Sequence, residues 1–466
     1  MNKMSEKTQA ELLKEKLFAE NEHAAYTCED GEIETADAFC EGYKTFLDNC
    51  KTEREAVAFT KALAEKEGFK PFNPKASYKA GDKVYYDNRG KALILCVFGT
   101  ESLESGAKIV ASHVDSPRLD LKPNPLYEDS ELALFKTHYY GGIKKYQWTA
   151  IPLALHGVIY RKDGVCVTVN IGEDDGDPKF VVTDLLPHLD RQPKNGEVIK
   201  GEDLNILIGS RPFGKDKGSE LVKLNILNIL NEKYGITEAD FVSAELECVP
   251  AFKAVDVGFD RSLIGSYGHD DRVCAYPSIM AAFAATSPKH TSVTVITDKE
   301  ETGSDGNTGL CSDYLKHFIA DIAATQGLNG RDVIRASECL SADVNAGFDP
   351  IYPSVHDKLN AAFLNKGIVV TKYTGSRGKS GTNDAHAEFM AKIRTLFDGA
   401  NVAWQTGELG KVDEGGGGTV AKYVANLGVE VVDVGVPVLS MHAPFEIVSK
   451  LDVYMAYKGF KAFIEN

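Results

Sequence analysis

Two acidic residues stand side by side where an apolar run stops. In SVTVITDKEETGSDG (292–306), Glu300 and Glu301 follow a stretch of β-favouring residues and precede two glycines. Adjacent carboxylates repel each other, so a purely structural role is an awkward explanation. The same kind of placement recurs along the chain. AKIVAS ends at His113, with Asp115 two residues on; IRASECLSA runs to Asp343; VEVVDVGVPVLSM runs to His442. Asp270 and Asp271, in SYGHDDRV, immediately precede a helical run. Ligands of open α/β sheets bind outside the carboxyl ends of the strands, so these residues could share one rim.

Two histidines with three or four carboxylates suit a pair of first-row divalent ions, zinc above all, with manganese or cobalt as alternatives. One carboxylate can bridge the two ions while the others cap each side. Bound cations also invert the local charge logic and remove the repulsion between the two glutamates. Successive side chains at a strand end point opposite ways, so one glutamate can ligate while its neighbour faces the substrate as general base for water. Each residue alone has a plainer reading. A histidine after a strand is usually a hydrogen-bonded structural residue, Asp-Asp before a helix usually caps it, and Glu-Glu is usually solvated surface. Their joint placement at five element ends favours a two-metal site.

The scaffold beneath these residues is read from periodicity. Residues 5–20 and 35–67 read as amphipathic helices, and KVYYDN, KALILCVFG and AKIVASHV as strands, the last buried on both faces. After DSPRLDLKPNPLYED the character changes. From about 120 to 250, short β-like runs such as GVCVTVNI and KFVVTDLL alternate with Gly, Asp and Pro turns, with one helical segment at GSELVKLNILNILNEKYG. From about 253 onward, strands and helices alternate again. The pattern predicts an α/β domain with a central mixed sheet, formed by residues 1–118 and 251–466 and interrupted by a β-rich insertion at 119–250.

The 466 residues, 43% hydrophobic and 26% charged, are ample for such a core. No apolar run reaches the ~20 residues that span a bilayer, and the N-terminus lacks the apolar centre of a signal peptide. Nine scattered cysteines without CxxC spacing read as reduced thiols, and the cytoplasm is the expected location. The net charge of −16 argues against nucleic acid as a partner.

SHVDSP, SYGHDDRV, TDKEETGS, LSADV and SMHAPFE, in this order, resemble the M18 family of metalloaminopeptidases, which are aspartyl-aminopeptidase-like enzymes, and a bacterial member in particular. The resemblance covers nearly the whole chain. It implies a zinc-peptidase-like catalytic domain interrupted by a dimerisation domain, with dimers assembled into a homo-dodecamer. It further implies His113, Asp343, Glu301 and His442 as metal ligands, Asp270 as the bridge, Glu300 as general base, and Asp115 as a carboxylate orienting His113. His188, in LLPHLDRQ, matches a histidine that reaches into a neighbouring subunit's site. Lys366, in FLNKG, matches a lysine that reads an acidic side chain, although Asp349 stands where eukaryotic relatives carry a histidine. The basic cluster of Lys372, Arg377 and Lys379 is either a substrate clamp or a solvent-facing loop. Gly416 and Gly417, in DEGGGGTVA, would let backbone N–H groups approach a substrate carbonyl or carboxylate. The expected activity is removal of an N-terminal residue, acidic by preference, from peptides. The alternatives are a di-metal amidohydrolase of N-acyl amino acids and a non-enzymatic assembly scaffold.

Overall fold

The computed structural model describes residues 7–19, 21–186, 188–189, 199–215 and 217–466. The apolar runs form strands β1 (Ala92–Val97), β2 (Ala107–His113), β3 (Thr291–Thr297), β4 (Glu338–Ser341), β5 (Ile368–Thr371) and β6 (Glu430–Gly435). Among the described residues these lie in a nine-stranded sheet, with two short strands (Lys70–Pro71 and Lys83–Asn88) beyond β1 and one (Trp404–Thr406) beyond β5. The order across the middle is β1, β3, β2, β4, β6, β5. β3, β2, β4 and β6 run parallel, while β1 is antiparallel to β3 and β5 to β6. The four parallel strands therefore deliver their carboxyl ends to one rim, and Thr297 pairs in register with His113 at its lip.

Alternation along each strand divides the core in two. Val110, Ile296, Leu340, Val432 and Val434 face one layer, where α1 (Glu32–Asn49), α2 (Glu53–Lys66), α3 (His269–Ala284) and the C-terminal helix Lys450–Glu465 contribute Tyr43, Phe46, Val57, Val273, Phe460 and Phe463. Ile109, Ala111, Val293, Val295, Cys339 and Val431 face the other, against Leu315, Phe318 and Ile322 of the helix Tyr314–Thr325. A sheet covered on both faces explains why its strands read as continuous apolar runs. The helical stretch expected over 35–67 is the pair α1 and α2. The chain breaks at Cys50–Thr52, and Thr52 starts α2 with a capping box to Glu55.

The described residues between Arg118 and Pro250 build a separate sheet. Its seven strands run in the order Cys166–Ile171, Leu153–Tyr160, Ala244–Pro250, Arg118–Asp129, Leu132–Tyr140, Ile206–Gly209 and Val181–Val182, around a core that includes Trp148, Leu155 and Phe241. The helix Leu221–Tyr234 packs on it through Ile226 and Leu230. All nine cysteines are free. No described helix is long and apolar enough to cross a membrane.

Candidate metal centre

His113 is the last residue of β2, and its buried ring is fixed from behind: Nδ1 lies 3.0 Å from the backbone carbonyl of Asp115 and 3.3 Å from its carboxylate. Its backbone N–H donates to Asp271. Asp270 and Asp271 lie in the first turn of α3, but neither has helical backbone angles. The helix becomes regular only after Asp271, and the two carboxylates turn to His113 and His442. Asp270 is oriented so that its two oxygens face different histidines. Oδ1 lies 3.2 Å from His113 Nε2, and Oδ2 lies 3.2 Å from His442 Nε2.

The other acids close around this axis. Asp343 Oδ1, two residues past β4, is 3.8 Å from His113 Nε2. Glu301 Oε2 is 3.5 Å from His442 Nε2, and Glu300 Oε2 is 3.8 Å from His113 Nε2. Glu300 and Glu301 do not continue β3, as strand alternation would have them do. They sit in a single 3-10 turn, Glu300–Thr302, entered through Lys299 at φ +71°. The turn separates the two side chains and is held by Asp115, whose carboxylate accepts both backbone N–H groups at 3.2 Å.

The donor set fits divalent cations. Ligand atoms of His113, Glu300 and Asp343 lie within 4.8 Å of one another, as do those of His113, Asp270 and Glu301. His113 Nε2 and Glu301 Oε1 are buried without a hydrogen-bond partner. Burial, reinforced by Asp343 and Asp270 respectively, pushes the carboxyls of Glu300 and Glu301 well above their ordinary range. Burial opposes the charged form of His442, yet Asp270 and Glu301 outweigh it and raise its pKa to about 11. A pocket that crowds carboxylates in this way is stabilised by positive charge placed among them.

Sequence reasoning missed two supports. Glu446 accepts the backbone N–H groups of both Asp270 (3.1 Å) and His442 (2.7 Å), tying Asp270 to the second histidine. Its only signal is its position at the end of SMHAPFE. The carbonyl of Gly142 accepts from His442 Nδ1 at 2.7 Å, a contact from the separate sheet that nothing local announces.

The cluster opens into a cleft of about 530 Å³ lined by the glycine loop, including Gly416 and Gly417, and by Thr374, Lys422 and Tyr423. Lys366 is not brought there. Its ammonium donates to the carbonyl of Asn21 at 2.6 Å and lies over Phe363, which corrects the expectation that it reads substrate in this cleft. Lys372 and Lys379 both pair with Asp384. His188 is exposed and does not line this chain's cleft.

Residues 46–464 match the family model for aminopeptidase I zinc metalloproteases, M18. A probable M18 family aminopeptidase 1 of Clostridium acetobutylicum is 52% identical over 461 residues, 97% of this chain and 99% of that protein. A crystal structure of an M18 family aminopeptidase from Thermotoga maritima superposes with a TM-score of 0.92 at 45% identity, over 96% of this chain and 99% of that one. That of aminopeptidase I from Clostridium acetobutylicum gives a TM-score of 0.91 at 51% identity, over 97% and 100%.

Proposed function

The chain belongs to the M18 family of zinc metalloproteases and is an aminopeptidase, and from that premise we propose a two-zinc mechanism for it. The observation that carries the reading is Asp270, whose two oxygens face His113 and His442 separately, as a bridging carboxylate requires. His113 and Asp343 would hold one ion, Glu301 and His442 the other, and Asp270 both. When bound, the ions supply Lewis-acid polarisation of the scissile carbonyl and a lowered pKa for water.

Glu300 is the general base. Its side chain keeps 16% of its surface open toward the cleft, whereas Glu301 keeps 3%, which suits a base for the first and a ligand for the second. Glu300 takes a proton from the attacking water and later returns it to the leaving amine. The carboxylates of the cluster face the substrate's free amino group, which limits cleavage to one residue. Lys422, on the cleft lining and without an ion-pair partner among the described residues, replaces Lys366 as the group that would favour an acidic N-terminal side chain. The glycine loop with Gly416 and Gly417 would present N–H groups to the substrate backbone.

Residues 119–250 would form the dimer contact, with His188 reaching a neighbouring site. A dodecamer from S. cerevisiae with the same fold (21% identity, TM-score 0.74) supports an assembly of this kind. The cytoplasm is the proposed location.

A panel of aminoacyl chromophores, free and N-acylated, assayed with zinc, manganese or cobalt, tests the reading. Cleavage confined to free-amine substrates, fastest with Asp or Glu, is expected. Faster cleavage of the acylated series would establish an amidohydrolase instead.

A further inference from the structure

The corner Tyr140–Gly142 belongs to the separate sheet, at the end of its strand Leu132–Tyr140, and supplies no metal ligand. It nevertheless reaches the supports of both histidines. The Tyr140 hydroxyl donates to Asp115 Oδ2 at 2.7 Å. That same carboxylate accepts the N–H groups of Glu300 and Glu301 and lies 3.3 Å from His113 Nδ1. A buried carboxylate that must hold three residues at once needs a donor to fix its own rotation, and Tyr140 is that donor. The ring is itself anchored, with the Arg118 guanidinium 3.9 Å from its centroid. Two residues on, Gly142 holds His442 through its carbonyl. Gly141, at φ +74°, passes so close to the cluster that a Cβ there would lie 3.2 Å from Glu301 Oε2.

We propose that Tyr140 is a positioning residue for the metal cluster: through Asp115 its hydroxyl sets His113 and the Glu300–Glu301 turn, so the inserted sheet tunes a centre built on the strands of another. The inference rests on the metal-site reading given above. Partners behind metal ligands typically change metal affinity by one to two orders of magnitude when removed. A tyrosine that merely packed against Arg118 would be replaced by phenylalanine without that consequence.

Competition for zinc against a chromophoric chelator, using the full chain, separates these roles. Tyr140→Phe keeps the ring over Arg118 and removes one hydrogen bond; it should weaken zinc binding about tenfold. Asp115→Asn should weaken it at least as much, and adding Tyr140→Phe to Asp115→Asn should cost no more than about twofold further, because the tyrosine acts through that carboxylate. A Tyr140→Phe variant that binds zinc as tightly as the wild type, or a full additional tenfold loss in the double variant, overturns this inference alone. A wild-type chain that takes up no zinc overturns the metal reading and this inference with it.

Discussion

Two buried clusters of carboxylates are joined through Arg118 and Tyr140, and they solve the same electrostatic problem differently. In the first, Glu53, Glu247 and Asp120 surround Arg118, at 3.2, 3.3 and 2.8 Å, and Lys91 adds a second cation 3.2 Å from Glu53. Burial would raise the pKa of Glu53, but Arg118 and Lys91 outweigh it and hold it at about 2. Burial raises the carboxyl of Glu247 instead, against the pull of Arg118. In the second cluster, Asp270, Glu300, Glu301 and Asp343 gather around His113 and His442, and no lysine or arginine pairs with any of the four among the described residues. There burial wins at the adjacent glutamates, and the carboxyls of Glu300 and Glu301 are pushed up. A buried acid supplied with its own lysine or arginine belongs to the architecture. A group of four that shares only two histidines, the residues that also ligate metals, marks a place where positive charge arrives from outside.

The contrast is testable in both clusters. Asp270→Ala removes the one carboxylate shared by both histidines; it should abolish activity and leave the purified protein without stoichiometric zinc by metal analysis. Glu300→Gln should lower kcat by 10²–10⁴-fold, the range for losing a general base, while zinc content stays at the wild-type value. Retained activity in that variant would remove Glu300 from the mechanism.

Arg118→Met attacks the other cluster and should destabilise the fold by about 3–5 kcal/mol in urea unfolding, because it leaves Glu53 buried with only Lys91. The pH dependence carries the same signature. The folded pKa of Glu53, about 2, lies below the ordinary carboxylate value of 4.5. Its contribution is therefore complete above pH 4.5 and is lost as pH falls toward 2, where the unfolded chain takes up the proton first. Unfolding curves over that acid range should show this slope in the wild type and a flatter one in Arg118→Met. The smallest effect falls on the cleft wall. Lys422→Met should lower kcat/KM for Asp and Glu substrates by roughly tenfold, the scale of one hydrogen-bonded charge, and leave a Leu substrate within about twofold. An equal loss on all three would assign Lys422 to general structure.

Much of this is legible in the sequence, and the reasons for the rest are physical. The rim residues can be read because a strand buried on both faces announces its own end: AKIVAS and SVTVIT stop where polarity begins, and the next polar residues sit at the rim. The separation of the Glu300 and Glu301 side chains has a different origin from the expected one, since a 3-10 turn and not strand alternation parts them. Lys366 is assigned by its match to a lysine of the resembled family, and a motif match cannot foresee that the fold directs its ammonium to the carbonyl of Asn21. Lys422 carries no sequence signal of its own; it reaches the cleft because the short helix Ala421–Ala425 comes directly after the glycine loop. Glu446, Tyr140 and Gly142 act through contacts between distant segments or through backbone groups, and neither leaves a periodicity to read.

The decisive test is anomalous diffraction at the zinc edge from crystals grown with zinc. Two peaks per chain are predicted, one among His113, Asp343 and Asp270 and one among Asp270, Glu301 and His442, with none at Glu53 and Glu247. A zinc peak beside Glu53, or a cluster at Asp270 that stays empty in saturating zinc, would refute the two-metal reading.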